Sequence, residues 1–152
     1  MEDDAFTEAG EVLRSLVPAE LGDLHVRAHR YGMKVWLGSD KPPREHYEAQ
    51  VVGPRHVPGA RVLAIEVGFH AEHPKAPDNE LAFAPIARAE KRWRKALGPE
   101  PVAGEFLGRA GWLRLSETWL DPDLGDPDLP HELAARLLDY LSVLEPVRRA
   151  KT

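Results

Sequence analysis

His70, Glu72 and His73 close the run RVLAIEVGFHAEHP, residues 61–74. Two imidazoles beside a carboxylate are the side chains that hold a divalent metal or move a proton. Glu66 precedes them, but four extended residues at ~3.3 Å each put it roughly 13 Å from His70, so along one strand the pair can scarcely share an ion. The helical H-E-x-x-H spacing is absent and Pro74 opens a loop. From spacing alone the expectation is a polar turn at a strand end, with no metal site and no cofactor.

A second candidate is DPDLGDPDLPHE, where Asp121, Asp123 and Glu132 fall at loop positions one, three and twelve of a calcium-binding EF-hand. Gly125 and Asp126 invert the order that positions five and six require, and Pro122 and Pro127 stiffen the loop. An acidic turn leading into a helix fits better. Arg88, Lys91, Arg92, Arg94 and Lys95 could contact phosphates, although a solvated helix face accounts for them more simply. Neither G-x-x-x-x-G-K-[ST], G-x-G-x-x-G nor G-x-S-x-G occurs, so phosphate-cradling loops and a serine nucleophile find no support.

The elements that must position these residues follow from periodicity. Phe6, Ala9, Leu13, Leu16 and Val17 recur at helical spacing, with Asp3 and Asp4 at the start and Pro18 at the end. LHVRAH and MKVWLG alternate around RYG, whose glycine is expected to take the positive φ of a tight reversal. SDKPPRE breaks the chain before HYEAQVV, and GPRHVPGA leads into RVLAIEVGFH. Asp78 or Asn79 is expected to cap a helix carrying Leu81, Ile86, Ala89, Trp93 and Leu97, kinked or restarted at Pro85 and ended by Gly98. Two further strands, VAGEFLG and WLRLSETW, precede a helix marked by Leu133, Leu137, Leu138, Leu141 and Leu144. The fold class is therefore α+β in one domain over residues 1–152, order α-β-β-β-β-α-β-β-α. Its largely antiparallel sheet of about six strands has helices on one face and the other face partly solvated.

Strand alternation sends Leu63, Ile65, Val67 and Phe69 into the core and Ala64, Glu66, Gly68 and His70 to the opposite face. The same rule sends His25, Arg27, His29, Trp36, Glu48, Gln50, Trp112 and Arg114 to that open face. Tryptophans, an amide, carboxylates and cations together suit a polar ligand or a partner protein. A solvated face with cross-strand charge pairs is the plainer alternative.

With 152 residues, 43% hydrophobic and 30% charged, the chain can bury a single core. A net charge of −5 disfavours nucleic acid and anionic membrane as partners. The lack of cysteine removes disulfides, thiolate zinc sites and cysteine nucleophiles. The acidic start MEDDAFTEAGEVL has no signal-peptide pattern and no apolar run nears about 18 residues, so the expected location is cytoplasmic.

The succession HYEAQVV, VLAIEVGFH, RKALGPEPVAGEFLG and a closing amphipathic helix, over residues 46–145, resembles a bacterial domain of unknown function often fused to restriction-endonuclease-like nucleases. The matching residues are Tyr47, Glu48, Gln50, Glu66 and His70. The nuclease E-x-K is missing, since Gln50 follows Glu48 and Gly68 follows Glu66, so no catalytic residue carries over. The element order is also similar to type III secretion chaperones, small acidic binders of other proteins that often form homodimers. Both resemblances imply an accessory module.

The expected function is a non-enzymatic binding domain recognising a protein partner or small polar ligand through Trp36, Glu48, Gln50, Glu66, His70, Trp112 and Arg114. One alternative is a metal-assisted hydrolase with Glu48 or Glu66 as base beside His70. A second is a nucleic-acid-associated accessory protein acting through the basic helix.

Overall fold

The protein is described here from a computed structural model covering residues 4–38 and 43–150. Asp3 and most of the SDKPPRE loop lie outside these residues. Helix α1 spans Ala5–Leu16, and the Asp4 carboxylate caps it by accepting from the Thr7 amide at 2.9 Å. A short 3-10 turn, Ala19–Leu21, leads into β1 (Leu24–His29) and β2 (Gly32–Leu37), then β3 (Glu45–Val52) and β4 (Ala64–Ala71). Helices α2 (Ala76–Arg88) and α3 (Glu90–Leu97) precede β5 (Val102–Phe106), β6 (Arg109–Leu120) and α4 (Leu129–Arg149).

All six strands form one antiparallel sheet in the order β1-β2-β3-β4-β6-β5, with the long hydrophobic strand β4 near its centre. Short connections allow only antiparallel neighbours from β1 to β4, and the β5–β6 hairpin adds to the far side of β4 because α2 and α3 carry the chain across. Met33, Val35, Tyr47, Ile65, Val67, Phe69 and Leu115 make the covered face and meet Phe6, Leu13, Ile86, Trp93, Leu137, Tyr140 and Leu141 from the helices.

Three local expectations change. The β1–β2 reversal turns on Arg30 and Tyr31, and Gly32 is the first residue of β2 without a positive φ. Its lack of a side chain serves a close approach instead: a Cβ there would lie 3.1 Å from the Ala49 carbonyl. The single predicted middle helix is two, broken at Ala89, while Pro85 is accommodated inside α2. Asn79 does not cap α2, which begins earlier at Ala76. Its buried amide accepts from the His73 amide at 2.7 Å and donates to the carbonyls of His73 and Gly111, tying the end of β4 to β6.

The open face is also less open than alternation implies. At the far end of the β5–β6 hairpin, a bulge at Glu105–Phe106 and the positive φ of Gly111 bend the tip back over the sheet. Phe106 then stands edge-on to His70, with ring centroids 4.6 Å apart. From the other end comes the β3–β4 loop, whose His56 lies 2.9 Å from where Gly108 would carry a Cβ. Asp121 anchors that loop: its carboxylate accepts from the amides of Arg61, Val62 and Leu63, and its own amide donates to the Leu63 carbonyl. Among the described residues no helix is long and apolar enough to cross a membrane.

Candidate functional site

The polar side of β3 and β4 is assembled by register. His46 pairs with His70, and Glu48 with Gly68, so the side chains of His46, Glu48, His70 and, one step beyond, Glu72 crowd one patch. Gly68 keeps the strip passable. A Cβ there would stand 2.2 Å from the Leu115 carbonyl and 2.6 Å from the Ser116 Cα, so only a bare position lets β4 and β6 pack this closely.

Over that bare position Glu66 and His70 reach each other, with His70 Nε2 donating to Glu66 Oε2 at 2.6 Å. The expected 13 Å separated backbones; two long side chains leaning together close it. The other Glu66 oxygen accepts from Gln50 Nε2 at 3.1 Å. His70 Nδ1 lies 3.2 Å from both Glu48 Oε1 and Glu72 Oε2. His46 Nε2 lies 2.9 Å from Glu48 and 3.7 Å from Glu72, while its Nδ1 is 3.0 Å from the Pro43 carbonyl. One nitrogen or oxygen from each of His46, Glu48, His70 and Glu72 thus falls within 4.8 Å of all the others.

The expectation of a solvated face fails here. Glu66 is 1% exposed, His70 0%, His46 2%, Glu48 8% and Glu72 9%, with Phe106 of the hairpin packed on the His70 ring. Burial pushes the Glu48 carboxyl up, but hydrogen bonds from His46 and His70 and their charge outweigh it and hold it down at about 2. Glu66 is likewise held below its ordinary range despite burial, chiefly by the charge and hydrogen bond of His70, with Ser116 and Gln50 adding to them. Burial works against a proton on His70, yet Glu66, Glu48 and Glu72 surround it and raise its affinity for one well above the ordinary value. Three buried carboxylates therefore face two imidazoles. Arg114, next to Ser116 on β6, spends its guanidinium on Ser116 Oγ at 2.9 Å and the Glu105 carbonyl at 3.2 Å.

Of the residues expected from sequence, Glu48, Gln50, Glu66 and His70 meet, and Arg114 flanks them across β6. Trp36 stands apart on β2, its ring stacked with His25 at 5.6 Å. Trp112 belongs to the cover, touching Phe106 and lying beneath the Arg109 guanidinium. His73 turns away to Glu45 at 2.8 Å. His46 was not anticipated. Its signal is the repeated His-x-Glu at 46–48 and 70–72, which places like pairs on one face of two neighbouring strands.

Comparison of the chain with protein-family models, with curated proteins and with solved structures finds no match. The site must be read from its own chemistry.

Proposed function

We propose that this is a binding domain that captures a small cationic ligand in the polar strip of its sheet. The observation that carries it is the buried cluster of carboxylates: Glu48, Glu66 and Glu72 are withdrawn from water with two imidazoles and Arg114 as their offsets, and a buried carboxylate left without positive charge is costly. A cation placed among them relieves that cost. A protein partner fits less well, because the side chains of the strip are almost wholly withdrawn from the surface.

Binding is favoured over hydrolysis by the placement of the clefts. One of about 530 Å³ lies between the start of α1 and residues 124–130, one of about 650 Å³ runs along α2, and one of about 380 Å³ opens beside Trp36, Arg44 and His46. None of the three is lined by Glu48, Glu66 or His70, so a substrate has no seat in them beside the candidate base. The third has His46, one member of the cluster, in its lining.

Thermal melts against potassium, magnesium, calcium, zinc, cobalt, spermidine and a matched set of anions test this function. At least one cation should raise the melting temperature of the wild type and leave Glu48→Gln unmoved. Indifference to every cation, with a response to an anion, would overturn it.

A further inference from the structure

Resting on the cation reading, we propose that the ligand is one divalent transition-metal ion of the zinc, cobalt or nickel class. Its ligands are His46 Nε2, Glu48, His70 Nδ1 and Glu72, and Glu66 is the positioning residue behind His70.

The geometry supports it first. A tetrahedral ion with bonds of about 2.0–2.2 Å separates its ligand atoms by roughly 3.3–3.6 Å. Four of the separations among these groups are 2.9, 3.2, 3.2 and 3.7 Å, the last two to different Glu72 oxygens, and one donor atom from each of the four residues lies within 4.8 Å of the others, a set that a modest closing of the side chains brings to those edges.

The hydrogen-bond partners of the two rings support it independently. A metal-binding imidazole presents one nitrogen's lone pair inward and donates the other N–H to a carboxylate or backbone carbonyl. Pro43 O can only accept, so His46 Nδ1 carries hydrogen and Nε2 faces the cluster. Glu66 accepts from His70 Nε2, leaving Nδ1 facing Glu48 and Glu72. Both outer nitrogens are thus tied off by acceptors that hold the inner ones in place. Gln50 steadies the second Glu66 oxygen, so the support is itself supported.

Charge permits a metal occupant, and the donor set selects its class. The space between the two inner nitrogens and the Glu48 and Glu72 oxygens can be filled by two protons or by one doubly charged ion, and either, with Arg114, offsets Glu48, Glu66 and Glu72. Two imidazoles with two carboxylates favour the borderline-soft metals over calcium or magnesium, which take six or more oxygens or keep their water. Three of the ligands sit on the central strands β3 and β4, whose positions the core behind them fixes, and Glu72 follows β4 directly.

Cobalt titrated into chelator-stripped full-length protein provides the test. One equivalent should saturate an intense visible spectrum of four-coordinate cobalt, and zinc should displace it. His46→Ala and His70→Ala should each abolish that spectrum. Glu66→Gln, which leaves all four ligands in place, should keep it and weaken binding by about 10–100-fold. Should either alanine variant fail to fold, the wild-type spectrum and Glu66→Gln still decide. A pale six-coordinate spectrum, or no saturation, overturns the metal assignment. If cobalt and zinc fail while spermidine, magnesium or another cation stabilises the wild type, the metal falls and the cation reading stands; if every cation fails, both fall.

Discussion

Two buried polar clusters lie on opposite faces of the same sheet, and they are built differently. On the helix side Glu117 accepts from Arg136 Nε, Tyr140 Oη and Trp119 Nε1, each at 2.8 Å. Nearby, Glu145 accepts from Tyr47 and Arg148, and Arg148 also meets Glu45. Each of these carboxylates is met by a guanidinium, Arg136 on Glu117 and Arg148 shared by Glu145 and Glu45. On the strip side Glu48, Glu66 and Glu72 share two imidazoles, and the nearest guanidinium, Arg114, bonds to Ser116 and a carbonyl. The helix-side network is closed by guanidinium partners; on the proposed reading the strip side is built to take a bound cation.

The contrast can be broken by substitution, beginning with the core that supports both clusters. Val67→Asp would bury an unpaired carboxylate behind the strip at a fully covered position. It should cost several kcal/mol of a total of about 5–15 and unfold the protein, seen as loss of a cooperative melt. On the helix side, Arg136→Ala strands Glu117 without its cation and should cost about 3–5 kcal/mol in denaturant unfolding. Gly68→Ala forces a Cβ into the Leu115 carbonyl and should cost about 3 kcal/mol by parting β4 from β6.

The smallest effect is the most telling. In metal-free protein Glu66→Gln removes one charge from the strip while an amide oxygen can still accept from His70. The melting temperature should hold or rise, as at sites where function is kept at a cost in stability. A loss comparable to that of Arg136→Ala would place the strip among the closed networks and sink the distinction.

Much of the scaffold is legible in the sequence because alternation and helical spacing report burial directly. Val67 and Phe69 read as core and are core; Leu13, Leu137 and Leu141 read as helix stripes and pack as such. Alternation puts Glu66 and His70 on one face with Glu48 and Gln50, but their direct contact is not legible, since sequence distance along β4 says nothing about how far two side chains lean across a glycine. His46 escaped notice because its role depends on cross-strand register, which pairs it with His70 only once the β3–β4 connection is known. The burial of the strip was illegible for a similar reason: Phe106 is carried onto the His70 ring by a bulged hairpin, and no periodicity encodes that.

The central claim, that the strip takes a zinc-class ion while the helix-side cluster is closed on its own residues, is met most directly by one calorimetric comparison. Chelator-stripped protein is melted alone and with zinc in excess, wild type beside His46→Ala. The wild type should gain stability in proportion to RT ln(1 + [L]/Kd), about 2.7 kcal/mol when free zinc is 100 times Kd, while His46→Ala gains nothing. Superimposable wild-type melts with and without zinc, or an equal gain in His46→Ala, would contradict it.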